Sequence, residues 1–328
     1  MLKKQITILL LLVVSLFSPA QNTTLISENQ DPISYATISF GNGNGLFADD
    51  AGQFYFTKKL YSDIDSIHIS ALGYKKVSLS TENLPSTIVL ESKVNTLQEI
   101  IIRGLPKGKF KIETLKPTTH DDYFKCWLPT IESEIAVFFP NESEHIKRLK
   151  TIEIPIKVEA KNWEKRKQKT KEKRPFSTLF KVNFYENNNG YPGEVLTYDK
   201  ITFIATEANE AIYELEVLDH NLIIPKEGFF ISLQVLGYTD NNGKLLPNKK
   251  YQEVKTKRGL VKVSTTFRPL LPFTGDILEK RTFVKRVFLN DGAWVLYDKE
   301  AIDNSNLLKA GLNNYGLGYT MEVYKTKE

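Results

Sequence analysis

The sequence predicts an all-β protein, a small antiparallel β-sandwich followed by a larger, jelly-roll-like antiparallel β-sandwich. Three observations carry this. Between Asp31 and Leu90 the chain is a series of short alternating runs, DPISYATISF, GLFADDAGQFYF, DSIHISALGYKKVSLS and STIVLES, parted by turn residues. From His120 onward further apolar runs are parted by Asn187-Asn188-Asn189-Gly190, Tyr191-Pro192-Gly193, Lys226-Glu227-Gly228, Asn241-Asn242-Gly243 and Asn290-Asp291-Gly292. No stretch holds a helical period over three turns. A period of two between turn signals marks half-buried strands, and many such strands in one segment favour two packed sheets.

The start of the chain reads as a secretory signal peptide over residues 1–20. Lys3 and Lys4 precede an apolar run, Ile6–Phe17, and Ser18-Pro19-Ala20 supplies small residues for cleavage before Gln21. The run is shorter than the ~20 apolar residues a membrane-spanning helix needs, and no later segment is apolar enough to span. The expected location is therefore outside the cytoplasm, in a periplasm or on the outer cell surface. The single cysteine, Cys126, forms no intramolecular disulfide. Beside Trp127 it reads as a buried apolar residue.

The first domain is expected over Gln21–Ser92. Tyr35–Phe40 alternates as a strand, and Gly41–Gly45 (GNGNG) is a tight connection of residues that accept positive φ. Leu46–Asp49 returns and Asp50-Ala51-Gly52 turns again. Gln53–Thr57 places Phe54 and Phe56 on one face and Tyr55 on the other. Ser66–Leu72 buries Ile67, Ile69 and Ala71; Val77 and Leu79 follow, and Ile88-Val89-Leu90 closes the sheet.

The order of these pieces resembles the carboxypeptidase regulatory-like (transthyretin-like) domains of exported Bacteroidetes-type proteins. Pro32, Tyr35, Ala36 and Thr37 match the first part of that pattern, Asp49, Gly52 and Phe54 the second, and Asp65, Ile69, Ser70, Gly73 and Tyr74 the third. The resemblance covers about a fifth of the chain. It implies a seven-stranded sandwich and a turn role for Asp49. It does not imply peptidase activity: none of His68, His120, His145 and His220 opens the His-x-x-Glu pair that a zinc carboxypeptidase needs.

Residues 93–119 are expected to be a strand plus linker. Leu97–Arg103 (LQEIIIR) is similar to the segment that follows such domains in TonB-dependent outer-membrane receptors. The roughly 220 residues beyond it are too few for a plug and a 22-stranded barrel. Gly104–Thr119 reads as a polar linker. The second sandwich is expected over residues 120–328. Its clearest strands are Ile135–Phe139, Leu149–Val158, Leu179–Tyr185, Ile201–Phe203, Ile212–Val217, Phe229–Leu236, Arg281–Leu289, Ala293–Tyr297 and Leu317–Tyr324. Its pattern resembles sandwiches found beside regulatory-like domains in Bacteroidetes surface proteins, and loosely resembles glycan-binding jelly rolls.

The chain carries a formal charge of +5, of which Lys161–Arg174 (KNWEKRKQKTKEKR) holds +6. One basic loop on an otherwise slightly acidic chain reads as a solvated connection, with anionic lipid or polysaccharide as its sharper reading. A nucleic-acid partner is not expected, because basic residues are not spread over a face with interleaved aromatics. Metalloprotease, serine-hydrolase, P-loop and dinucleotide motifs are absent, and no cofactor, metal or catalytic residue is assigned. Asp49 and Asp50 read as turn residues rather than a Ca²⁺ site, and Glu142, Glu144 and His145 as a solvated cluster. The candidate ligand contacts are Trp294, Tyr315 and Tyr191, aromatics near turns of the kind that stack on sugar rings. The functional expectation is a non-catalytic binding or scaffold protein of the cell envelope, contacting a protein partner through its sheet edges. The alternatives are a carbohydrate-binding module and a hydrolase with a scattered carboxylate pair.

Overall fold

The computed structural model describes residues 22–93, 106, 108–162, 172–248, 251–256, 259–289 and 292–325. The expected signal peptide at residues 1–20, the LQEIIIR segment and most of the basic loop lie outside the described residues.

Seven strands build the N-terminal sandwich: β1 (Asn22–Ser27), β2 (Thr37–Ser39), β3 (Gly45–Phe47), β4 (Gln53–Tyr55), β5 (Ser66–Ser70), β6 (Val77–Ser80) and β7 (Thr87–Leu90). They form one sheet ordered β4-β1-β7 and a second ordered β3-β2-β5-β6. Alternation sends Leu25, Ile38, Ile67, Ile69, Ile88 and Leu90 into one core between them. The pairing of β1 with β7 is parallel, a departure from the antiparallel sandwich expected here. β1 escapes a periodicity search because two of its three buried positions are Thr23 and Ser27. Thr23 meets its polar requirement by donating to the Pro85 carbonyl at 3.2 Å. Asp49 takes the expected turn role, accepting from the amides of Ala51 (3.0 Å) and Gln53 (2.8 Å).

The remaining strands are β8 (Phe110–Leu115), β9 (Cys126–Trp127), β10 (Ser133–Phe139), β11 (Ile146–Ile156), β12 (Ser177–Asn188), β13 (Tyr191–Val195), β14 (Ile201–Thr206) and β15 (Ala211–Glu216). They continue with β16 (Phe229–Tyr238), β17 (Gln252–Thr256), β18 (Gly259–Val263), β19 (Leu271–Thr274), β20 (Thr282–Arg286), β21 (Val295–Leu296), β22 (Asn314–Tyr315) and β23 (Gly318–Tyr324). A seven-stranded sheet runs β13-β12-β16-β10-β20-β21, with β14 also paired to β12. A four-stranded sheet runs β15-β11-β23-β8. Val182, Phe184, Ile231, Leu233 and Val137 from the first meet Leu149, Ile152, Ile154 and Met321 from the second in one core. β8 lies inside the stretch expected to be a linker. Its six residues pair antiparallel with β23, and Phe110, Ile112 and Leu115 stay exposed, so burial leaves little trace in its sequence.

The two sandwiches pack against each other. Phe47 of β3 joins the core of the larger sandwich, its ring 5.1 Å from that of Phe288. The Ser39 hydroxyl donates to the Phe288 carbonyl. Gly45 is required for this approach, since a Cβ there would stand 2.5 Å from the Phe288 ring. Tyr251 donates to Asp63 at 3.0 Å, and the Lys200 ammonium lies 5.5 Å from the centre of the Tyr35 ring.

Candidate functional site

The outer face of the seven-stranded sheet turns toward the N-terminal sandwich and carries polar side chains in register. Opposite-residue pairing aligns Lys181 of β12 with Gln234 of β16, Gln234 with Glu134 of β10, and Glu134 with Lys285 of β20. One step along, Asn183, Ser232 and Ala136 form the next row. Adjacent strands alternate in parity with the inner apolar set, so a single polar residue per two positions builds a polar floor on a sheet whose other face is dry.

Glu134 is the centre of that floor and is 2 % exposed. Its Oε1 accepts from Asn183 Nδ2 (2.9 Å), Tyr185 OH (2.7 Å) and Ser232 Oγ (2.6 Å), and its Oε2 stands 2.9 Å from Lys285 Nζ. Burial pushes the carboxyl up, but the Lys285 charge and the Ser232 and Tyr185 hydroxyls outweigh it and hold the group down at about 2. Burial and the adjacent carboxylate push the Tyr185 phenol well above its usual range. Lys181, half-buried on the same face, is held below the usual lysine range: burial dominates, Glu134 opposes it, and Lys285 adds repulsion.

Above this floor lies a cavity of about 640 Å³ between the two sandwiches. Its walls come from Pro32–Tyr35, Ser70–Leu72 and Tyr74 on the N-terminal side, and from Gly193–Val195, Tyr198 and Lys285–Val287 on the other. Tyr35 holds a left-handed backbone (φ 54°) at this wall, a strained conformation for a bulky residue. A second cavity of about 320 Å³ lies between β4 and the Asp240–Asn248 segment.

The three aromatics singled out in sequence do not form one platform. Tyr315 is a core residue, 1 % exposed, its hydroxyl donating to the Pro155 carbonyl at 2.9 Å, so its expected role as a ligand contact is corrected. The alternation around NNYGLGY turned it inward onto Phe273. Trp294 and Tyr191 do share the outer-face region. Trp294 packs edge-on against Tyr185 with ring centres 5.6 Å apart and lies 4.4 Å beneath Lys285 Nζ. Tyr191 is half-exposed and meets Phe283 edge-on at 5.4 Å. Trp294 thus packs on the same face beside the floor, half-buried under Lys285.

Among the described residues no group of three His, Cys, Asp or Glu side chains is placed to hold a metal ion. Glu144 pairs with Lys226 at 2.5 Å instead of converging with Glu142 and His145. Burial drives the Cys126 thiol up to about 12, which suits a structural thiol and not a nucleophile. Glu134, Asn183, Ser232, Gln234, Lys181 and Lys285 were not singled out from sequence. Their signal is a lone polar residue at alternate positions of otherwise apolar strands, as in SEIAVFF and FFISLQVLG.

Compared with protein-family models, curated proteins and solved structures, the chain has no match.

Proposed function

We propose that the protein is an exported, non-catalytic binding protein of the cell envelope whose ligand is a saccharide held between its two sandwiches. The observation that carries this reading is the 640 Å³ cavity, a size suited to a small ligand, with Tyr35, Tyr74, Tyr185 and Tyr198 among its walls. Aromatic rings for sugar faces and Asn183, Ser34 and Ser70 for hydroxyls are the side-chain types such a ligand requires. The N-terminal basic–apolar–small pattern supports export, and the resemblance of Asp31–Leu90 to regulatory-like domains supports an envelope setting.

Binding is favoured over hydrolysis by the state of Glu134. A glycosidase needs one carboxyl that donates a proton near neutral pH. Glu134, held at about 2 with both oxygens engaged, is a permanent acceptor. Of the other carboxylates at the cavity, Asp199 is bonded to His220 at 2.7 Å and Glu194 is exposed.

A protein partner added along β8 is the second reading. This strand ends the four-stranded sheet and exposes Phe110, Ile112 and Leu115, the apolar edge that strand addition uses. The two readings separate in a titration of the purified protein with a panel of soluble oligosaccharides, followed by tryptophan fluorescence. A saturable shift that disappears in Trp294→Phe supports the cavity. No shift and no rise in Tm with any member of the panel removes the saccharide reading and leaves the β8 edge.

A further inference from the structure

The polar floor is satisfied at one end and open at the other. Glu134 and Lys285 neutralise each other, and the lone pairs of Glu134 Oε1 are filled by three donors. Lys181 and Gln234 lie next to them in the same row. Among the described residues neither side chain makes a hydrogen bond or ion pair, although Gln234 is only 6 % exposed and both line the cavity. Buried polar groups in folded proteins are nearly always partnered, so an amide and an ammonium open side by side into a cavity mark a place for a polar guest.

The charge of that guest follows from the surroundings. The Lys181 and Glu134 backbones are separated by one intervening strand, about 10 Å, and no ion pair joins their side chains. Five cationic side chains line the cavity against three carboxylates. Of these, Lys285 is paired with Glu134, Arg286 with Glu132 at 2.6 Å, Lys200 lies over Tyr35 and Lys76 has a contact of its own, which leaves Lys181 as the cation on the ligand space without a hydrogen-bond or ion-pair partner among the described residues. An ammonium beside an amide N–H donor offers converging donors to an oxyanion.

We infer that the saccharide is acidic and that Lys181 with Gln234 binds its carboxylate. This rests on the cavity reading above. The remaining wall fits the sugar ring, and Glu134 has a positioning role, holding Asn183, Tyr185 and Ser232 so that the floor stays formed when the cavity is empty.

The test measures, by isothermal titration calorimetry, the affinity of the purified protein for oligoglucuronate or oligogalacturonate and for the same oligomers with their carboxyls reduced. The acidic forms are expected to bind at least tenfold more tightly than the reduced ones. Lys181→Met is expected to abolish that preference, and Lys181→Arg to retain it. Gln234→Leu is expected to weaken only the acidic ligand, and circular dichroism checks that each variant is folded. Equal affinity for both forms, or a preference that survives Lys181→Met, overturns the assignment and leaves the cavity reading standing. No binding of either form overturns both.

Discussion

On its inner face the seven-stranded sheet presents Val182, Phe184, Ile231, Leu233 and Val137 to a core shared with the four-stranded sheet. On its outer face the same three strands present Lys181, Asn183, Gln234 and Glu134 to a cavity shared with the N-terminal sandwich. The backbone, the register and the neighbours in sequence are common to both. Only the parity of the position differs. The inner face holds the molecule together through apolar burial, which is non-directional and tolerant of detail. The outer face depends on each donor meeting its acceptor, and there Lys181 and Gln234 are left without one among the described residues. A face assembled only for stability gains nothing from an open lysine and amide, and this contrast is what supports the proposed site.

Breaking the inner face should have the largest effect. Phe184→Ala removes a ring with no exposed surface and should cost about 4 kcal/mol in urea-unfolding free energy. A loss under ~1 kcal/mol would mean the two sheets are not the principal core. On the outer face, Glu134→Gln keeps the shape but sets an amide against Lys285 and should cost about 2–3 kcal/mol. The same group gives a pH signature. Its folded value of about 2 lies below the ordinary ~4.3 of a free glutamate, so its contribution is fully present above about pH 5 and is lost as pH falls toward 2. That contribution is on the order of 3 kcal/mol. Acid unfolding curves of the wild type and Glu134→Gln should therefore converge near pH 2; curves that stay parallel down to that pH would contradict the low carboxyl value. The smallest effect has the opposite sign. Lys181→Met replaces a charge that burial holds below its usual titration range and should raise stability by about 1 kcal/mol at pH 7. A loss instead would show that Lys181 has a protein partner.

These two faces also explain what was legible in the sequence. The inner apolar positions of β10, β12, β16 and β23 alternate cleanly, and those strands are readable within a few residues. β1 and β8 were not, because Thr23 and Ser27 fill buried positions of one and exposed apolar residues line the other. β13 hides in a Tyr-Pro-Gly signal that reads as turn. The site was illegible for a different reason. Glu134, Lys181, Gln234 and Lys285 come from four strands distant in the chain, and only strand order β12-β16-β10-β20 makes them neighbours. Each one alone looks like an ordinary solvent-facing residue of an alternating strand. Trp294, an aromatic near a turn, does lie beside the site, but packed under Lys285. Tyr315 has the same sequence signature and lies in the core.

The central claim is that the ligand lies between the sandwiches and touches both. Hydrogen–deuterium exchange of the purified protein with and without saturating oligogalacturonate tests it most directly. Added protection is expected in Pro32–Thr37 and Ser70–Tyr74 of the N-terminal sandwich together with Lys181–Tyr185 and Gly193–Lys200 of the larger one. Protection confined to one sandwich, or centred on the β8 edge, would contradict it.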